Sequence, residues 1–429
     1  MRHEERPFGF WMATALVIGG VIGAGIFVLP SQMAAFGWTG VGAWALGGAG
    51  AMVIARVLAS VAEARPEEPG LMAVIGEVLG PIPGVLNGWG AWVSYWCANA
   101  YIALTSARYA SDLWPYLAKT PFHLAVAASA LIAALTGLNL AGLKASGRFQ
   151  VITTMLKLMP LVAVILILAG LMLGGGEEFT REAHAPFMTS KLFTATSLAF
   201  VAIMGFESAS IAAQRVRNPE RNVPRATMVG VIVSCLIYMV VCSGIVFALP
   251  QATLAASNAP VALFIGNHWG SWAGVAVAAF AVISTVGGLN VWIMLQGEVP
   301  LALVRAGMLP AWLARTNARD IAAVPMAVAS TLTVLILLIG GWNNGATLMD
   351  FMLKLTAASG IWVYTFACIT ALALKIRPLL AALGLLFSVA ILYGAGMEAV
   401  LLSIALMLAV LPLYWLARRS QLSAAAASG

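Results

Sequence analysis

The chain has 429 residues, 62% of them hydrophobic and only 9% charged, with a mean hydropathy of +0.95. A soluble domain uses roughly 25% charged residues, so this composition excludes an ordinary soluble protein and points to one embedded in lipid. The net charge of +7 calls for no nucleic-acid partner, because the placement of the basic residues described below accounts for it.

A spanning helix needs about 20 apolar residues, and the chain divides into about twelve such runs. They lie near 9–30, 38–62, 84–111, 122–141, 149–173, 190–213, 226–249, 272–300, 323–342, 346–374, 378–395 and 397–416. The expectation is an all-α integral membrane protein with about twelve transmembrane helices in a single domain over 1–429, since little sequence is left for a soluble one. The N-terminal segment, MRHEERPFGFW, lacks the layout of a cleaved signal peptide, so the first run is expected to stay as a helix.

The first run carries Gly19, Gly20, Gly23 and Gly25 within seven residues. Each glycine weakens a helix by up to about 1 kcal/mol relative to alanine. In lipid, unwound backbone is tolerated only against protein or a water-filled cavity. A break here would leave free N–H groups at the start of the following half-helix, suited to a carboxylate, and bare carbonyls at the end of the preceding one, suited to an ammonium. Close packing of small residues against a neighbouring helix is the other reading of the same spacing.

In the third run Trp89, Trp92, Tyr95 and Trp96 spread around the helix, so at most two can face one pocket. The fifth run places Lys157 about eight residues from its start, roughly 12 Å deep at 1.5 Å per residue. Such a lysine either acts in coupling, by gaining and losing a proton beside its neighbours, or snorkels to an interface. The sixth run carries Gly205 and Glu207 at mid-membrane depth and leaves as an arginine-rich loop with Arg215, Arg217, Arg221 and Arg225. A carboxylate within a span is costly and marks a functional group facing a cavity, or else a structural group satisfying freed backbone donors.

The remaining ionisable groups take blander readings. Glu298 belongs to a gate or ion pair at the end of the eighth run, and Asp350 and Lys354, four residues apart, can neutralise each other. Cys97, Cys235, Cys242 and Cys368 sit in apolar helices without metal-ligand spacing. Neither a metal site nor any cofactor is expected.

Lysine and arginine accumulate in short cytoplasmic loops. With the N-terminus inside, seventeen of the 23 basic residues fall on the cytoplasmic side, so both termini are expected there. Two glycine-interrupted runs five helices apart point to the midplane site of an inverted-repeat protein. The first repeat would cover 9–173 and the second 190–374, with two further helices over 378–416. No GxxxxGK[ST] loop, HExxH or GxSxG stands in the spans, which argues against an ATP-driven pump and against an enzyme. A channel would be expected to show a repeated pore motif, and none is seen.

The segments Gly23-Ala24-Gly25-Ile26-Phe27 with Pro30, Gly205-Phe206-Glu207-Ser208 and Asn218-Pro219-Glu220-Arg221-Asn222-Val223-Pro224 resemble the amino acid–polyamine–organocation superfamily. Within it the chain is most similar to the bacterial basic amino acid and polyamine antiporters. The resemblance implies five-plus-five inverted repeats with helices 1 and 6 broken, alternating access, and a multi-pass protein of the bacterial inner membrane. It implies a site at Val21, Ile22, Gly23, Ala24 and Gly25 of the first helix and Val201, Met204 and Gly205 of the sixth. There the Ala24 and Gly25 amides would meet the substrate carboxylate, and the carbonyls of Val21, Val201 and Met204 its amino group. Asn99, Leu289 and Ala358 would complete the pocket, with Glu207 in coupling or gating. Lys157 is similar in position to a lysine of the proton-coupled and cationic branches.

The departures from the arginine/agmatine members are Ala24 in place of a small hydroxyl, and Val201 and Leu289 in place of tryptophans. Loss of cation–π stacking, roughly 0.5–2 kcal/mol, shifts the expectation to a neutral aliphatic amino acid, with basic amino acid/polyamine exchange as the alternative. The stretches Gly288 to Trp292 and Ala358 to Trp362 are similar to exporters of methionine and branched-chain amino acids, in the same direction. The expected partners are an amino acid or polyamine, protons and membrane lipid, with a second copy of the chain in a homodimer left open.

Overall fold

In a computed structural model the described residues, 8–65, 70–180, 184–257, 259–342 and 346–428, are almost wholly helical. Nine helices among them are long and apolar enough to cross a membrane. The first expected span is two helices, α1 (Phe10–Val21) and α2 (Gly25–Met33). Next come α3 (Trp38–Ala64), a short α4 (Leu71–Leu79), α5 (Pro81–Leu113), α6 (Pro121–Ala141) and α7 (Leu143–Leu173). The sixth expected span is again two pieces, α8 (Thr189–Ile203) and the single turn α9 (Ser208–Ile211). The chain continues through α10 (Pro219–Ala248), the short α11 (Gln251–Ala255) and α12 (Pro260–Trp269), and then α13 (Ser271–Arg305), α14 (Ala323–Trp342) and α15 (Ala346–Ala373). It closes with α16 (Pro378–Ala395), α17 (Met397–Leu408) and α18 (Leu411–Ser428).

Three boundaries depart from the apolar pattern for local reasons. Asn218, at φ +45°, turns the chain so that Pro219 occupies the first helical position of α10, where its missing N–H costs nothing. The Asn218 to Pro224 segment is therefore mostly the start of a helix rather than a loop. Helix α4 was not marked by any run long enough to span; Gly70 at φ +122° and Gly80 at φ +101° set its limits. Helices α11 and α12 lie between expected spans, and α12 packs against α13 and α2.

Both glycine-rich interruptions are real breaks. Helix α1 stops at Val21 and α2 resumes at Gly25. Helix α8 stops at Ile203, Met204 is extended (ψ 152°), and Gly205 adopts φ +109°. The core is formed where α5 packs along α13 and α15, α10 along α3, and α1 among α7, α10 and α13. Just before α1, Phe8 forms a parallel bridge with Val216: its N–H donates to the Arg215 carbonyl (2.9 Å) and its carbonyl accepts from the Arg217 N–H (2.8 Å).

Candidate functional site

A helix end leaves carbonyls without intrahelical partners, and in a membrane these need donors from elsewhere. At the end of α1 each one from Gly19 to Gly23 has found one. Lys157 Nζ donates to Gly19 (3.2 Å) and to Ile22 (2.5 Å). The Trp292 indole N–H donates to Gly20 (3.3 Å), the Tyr238 hydroxyl to Val21 (3.1 Å) and the Ser284 hydroxyl to Gly23 (3.4 Å). Three neighbouring helices, α7, α10 and α13, thus hold this end in place. Lys157 is fully buried, so it caps the break instead of snorkelling.

The complementary groups are free. The N–H groups of Ala24 and Gly25 donate to no described residue, and α2 has no side-chain cap. The Ala202 and Met204 carbonyls at the end of α8 accept from no described residue. These amides and carbonyls belong to residues lining a single cavity of about 350 Å³. Donors for an anion at a helix N-terminus and acceptors for an ammonium therefore share one enclosure. The wall is completed by Ala98, Tyr101 and Ile102 of α5, Trp292 of α13 and Thr356 of α15. The cavity runs along α2 past Leu29 and Gln32 to Thr194 and Ser197, and on to Ile391, Gly394 and Ala395 of α16. It carries no acidic side chain.

On the opposite side of the breaks the interior is filled. The Phe206 ring stacks on Tyr364 (4.7 Å between centroids, 11° between planes). Glu207, 2% exposed, accepts from the Tyr364 hydroxyl (2.6 Å) and the Gly205 N–H (3.1 Å) on one oxygen and from the Tyr95 hydroxyl (3.2 Å) on the other. This carboxylate ties α5 and α15 to the second break. It does not border the cavity.

Nearer the face where α1 begins, the buried Arg215 guanidinium reaches Glu298 of α13 (3.3 Å) and Asp320 (3.0 Å), and Arg305 joins Asp320 (3.3 Å). Burial works against the charge on Arg215, the carboxylates of Glu298 and Asp320 favour it, and the balance lies above the ordinary arginine value. The sequence marks Arg215 as one of four loop arginines that set topology, yet it is the hub of a buried ion-pair cluster joining α13 to Asp320.

Of the expected site residues, the structure brings Val21, Gly23, Ala24, Gly25, Val201 and Met204 to the cavity. Ile22 is buried beneath it, its carbonyl bound by Lys157. The Val21 carbonyl is already bound by Tyr238 and by the Gly23 N–H, so the free carbonyls belong to α8. Gly205 packs against Gly20 behind the cavity wall. Asn99, Leu289 and Ala358 are fully buried and do not line the cavity. The Asn99 amide donates instead to Gln296 (2.7 Å). None of Trp89, Trp92, Tyr95 or Trp96 lines it either. The side chains of Asp350 and Lys354 lie outside those described. Among the described residues no cluster of His, Cys, Asp and Glu could hold a metal.

Tyr101, Tyr238 and Tyr364 escaped the sequence reading, and Trp292 entered it only as the end of the Gly288 to Trp292 stretch, not as a pocket residue. Trp292 lies one helical turn after Leu289, where an i, i+3 spacing keeps both on neighbouring faces. That spacing was available, but nothing in the chain alone says which of the two meets the cavity.

A helical chain with spans long and apolar enough to cross a membrane, and two interrupted helices around one cavity, has the build of a transporter. The chain belongs to the amino acid permease family, which it matches over residues 8–421. It is 27% identical over 377 residues to a cadaverine/lysine antiporter of Escherichia coli (strain K12), covering 85% of this chain and 83% of that one. It is 28% identical over 363 residues to a putative arginine/ornithine antiporter of Bacillus subtilis (strain 168), covering 77% and 76%. A putative arginine/ornithine antiporter of Escherichia coli (strain K12) is 27% identical over 437 residues, covering 97% and 93%. The names of these relatives carry lysine, cadaverine, arginine and ornithine, not the neutral aliphatic class expected from Val201 and Leu289.

Proposed function

We propose that this permease exchanges basic amino acids and polyamines across the bacterial inner membrane by alternating access. Two inverted five-helix repeats, 9–173 and 190–374, would move about the paired breaks, with both termini cytoplasmic. The observation that carries the reading is the pairing of free Ala24 and Gly25 amides with free Ala202 and Met204 carbonyls in one cavity. That pairing suits the carboxylate and ammonium of an amino acid. The basic class rests on the antiporter relatives. The aromatic residues Trp292 and Tyr101 in the wall supply faces suited to a side-chain cation. Lys157, bridging α7 to the first break, is the group through which a proton would alter the hold on α1.

A second reading has its own observation. Val201, Leu198 and Ile102 make much of the wall aliphatic and no carboxylate lines it, which suits a neutral side chain. Purified protein in two sets of liposomes, one loaded with unlabelled lysine and one with unlabelled leucine, tests both. Uptake of labelled lysine, ornithine or cadaverine in exchange supports the first reading. Exchange of leucine and methionine with basic substrates ignored overturns it in favour of the second.

A further inference from the structure

Val201 brings no aromatic ring to the cavity and Leu289 does not line it, yet the cavity is not without an indole. Trp292 borders it from α13, only 6% exposed, wedged between the two interrupted helices. Its N–H donates to the Gly20 carbonyl of α1 (3.3 Å). A Cβ built on Gly205 would stand 3.3 Å from its Cζ2 atom. The ring meets Tyr95 edge-on, with centroids 5.0 Å apart and planes at 76°, and the Tyr95 hydroxyl donates to Glu207 (3.2 Å). The indole is thus fixed by both breaks and by a tyrosine, and Trp292 lines the cavity together with Met204 and Ala98. A fixed aromatic surface next to a substrate attracts a cation without needing a carboxylate, and no carboxylate lines this cavity.

We propose that Trp292 is the selectivity residue of the site, the wall against which the cationic end of the substrate side chain packs. This rests on the basic-substrate reading above. It accounts for a cavity that can take a basic side chain although its walls hold no counter-charge.

Replacing Trp292 site-specifically with tryptophans bearing one to four fluorines tests this while keeping the shape and the N–H. Fluorination drains the ring's negative face, so lysine affinity should fall stepwise by about 3- to 30-fold in all. Norleucine, with an unbranched stem and no side-chain charge, should stay within about twofold. In the same assay W292F should retain part of the lysine preference and W292L should lose it. Lysine affinity independent of fluorine content, or equal losses for lysine and norleucine, would overturn the assignment. Wild-type protein that binds norleucine and not lysine would instead overturn the substrate class.

Discussion

Gly20 of the first interrupted helix and Gly205 of the second face each other. A Cβ on Gly20 would stand 2.9 Å from the Gly205 carbonyl oxygen, and one on Gly205 would stand 2.7 Å from that of Gly20. Both approaches are closer than a methyl group tolerates. Gly20→Ala and Gly205→Ala should each destabilise by about 1–3 kcal/mol. Gly205→Ala should be the worse, because it adds a side chain at φ +109°. Thermal unfolding in detergent measures both, and equal wild-type midpoints would contradict the packing.

Glu207 satisfies three donors at once, so removing it leaves the Tyr95 and Tyr364 hydroxyls without an acceptor in a buried place and leaves the Gly205 N–H only the Tyr364 oxygen (3.3 Å). Glu207→Ala should cost more than either tyrosine substitution, since each orphaned buried donor is worth about 1–3 kcal/mol. Tyr364→Phe should cost more than Tyr95→Phe, the bonds being 2.6 and 3.2 Å. The order of the three unfolding midpoints is the check.

Lys157 holds two carbonyls of the first break, and a protonated amine holds them more strongly than a neutral one, because charge-assisted hydrogen bonds are stronger. Lys157→Ala should slow exchange and abolish the pH dependence of net transport. Counterflow into proteoliposomes at two pH values reads this directly; a mutant keeping the wild-type pH profile would remove Lys157 from coupling.

Arg215 joins Glu298 and Asp320 while its backbone pairs with Phe8. Breaking a buried ion pair from one side costs about 3–5 kcal/mol. Part of that should appear as a shift toward a form open on this face. In Arg215→Ala, a cysteine introduced at Ala213 should react faster with a membrane-impermeant thiol reagent. An unchanged rate would show that other contacts seal the face.

Val201 lines the cavity and Leu289 does not, so two substitutions that look alike in sequence should differ. Val201→Trp should fill space and restrict long substrates about tenfold or more in KM, since it inserts an indole into a cavity of about 350 Å³. Leu289→Trp, at a fully buried position, should lower stability instead. Comparing KM with unfolding midpoint for the two separates the effects.

Much of this was legible in the chain. The apolar runs marked the helices, and the glycines at 19, 20, 23, 25 and 205 marked the breaks, because unwound backbone in lipid needs residues that allow it. Lys157 and Glu207 stood out because charge in a span is costly. What the chain could not show was how the freed carbonyls are shared out. Tyr238, Ser284 and Trp292 reach them from helices far along the sequence, and their placement depends on tertiary packing. Asn99 likewise reads as a pocket residue until Gln296, nearly two hundred residues on, takes up its amide.

Helix α16 lies beyond both proposed repeats, yet Ile391, Gly394 and Ala395 form part of the cavity's outer wall. Substrate choice should therefore not be confined to residues 9–374. Chimaeras that exchange only the C-terminal segment between relatives should alter which solutes gain entry, while leaving the machinery of the two breaks intact.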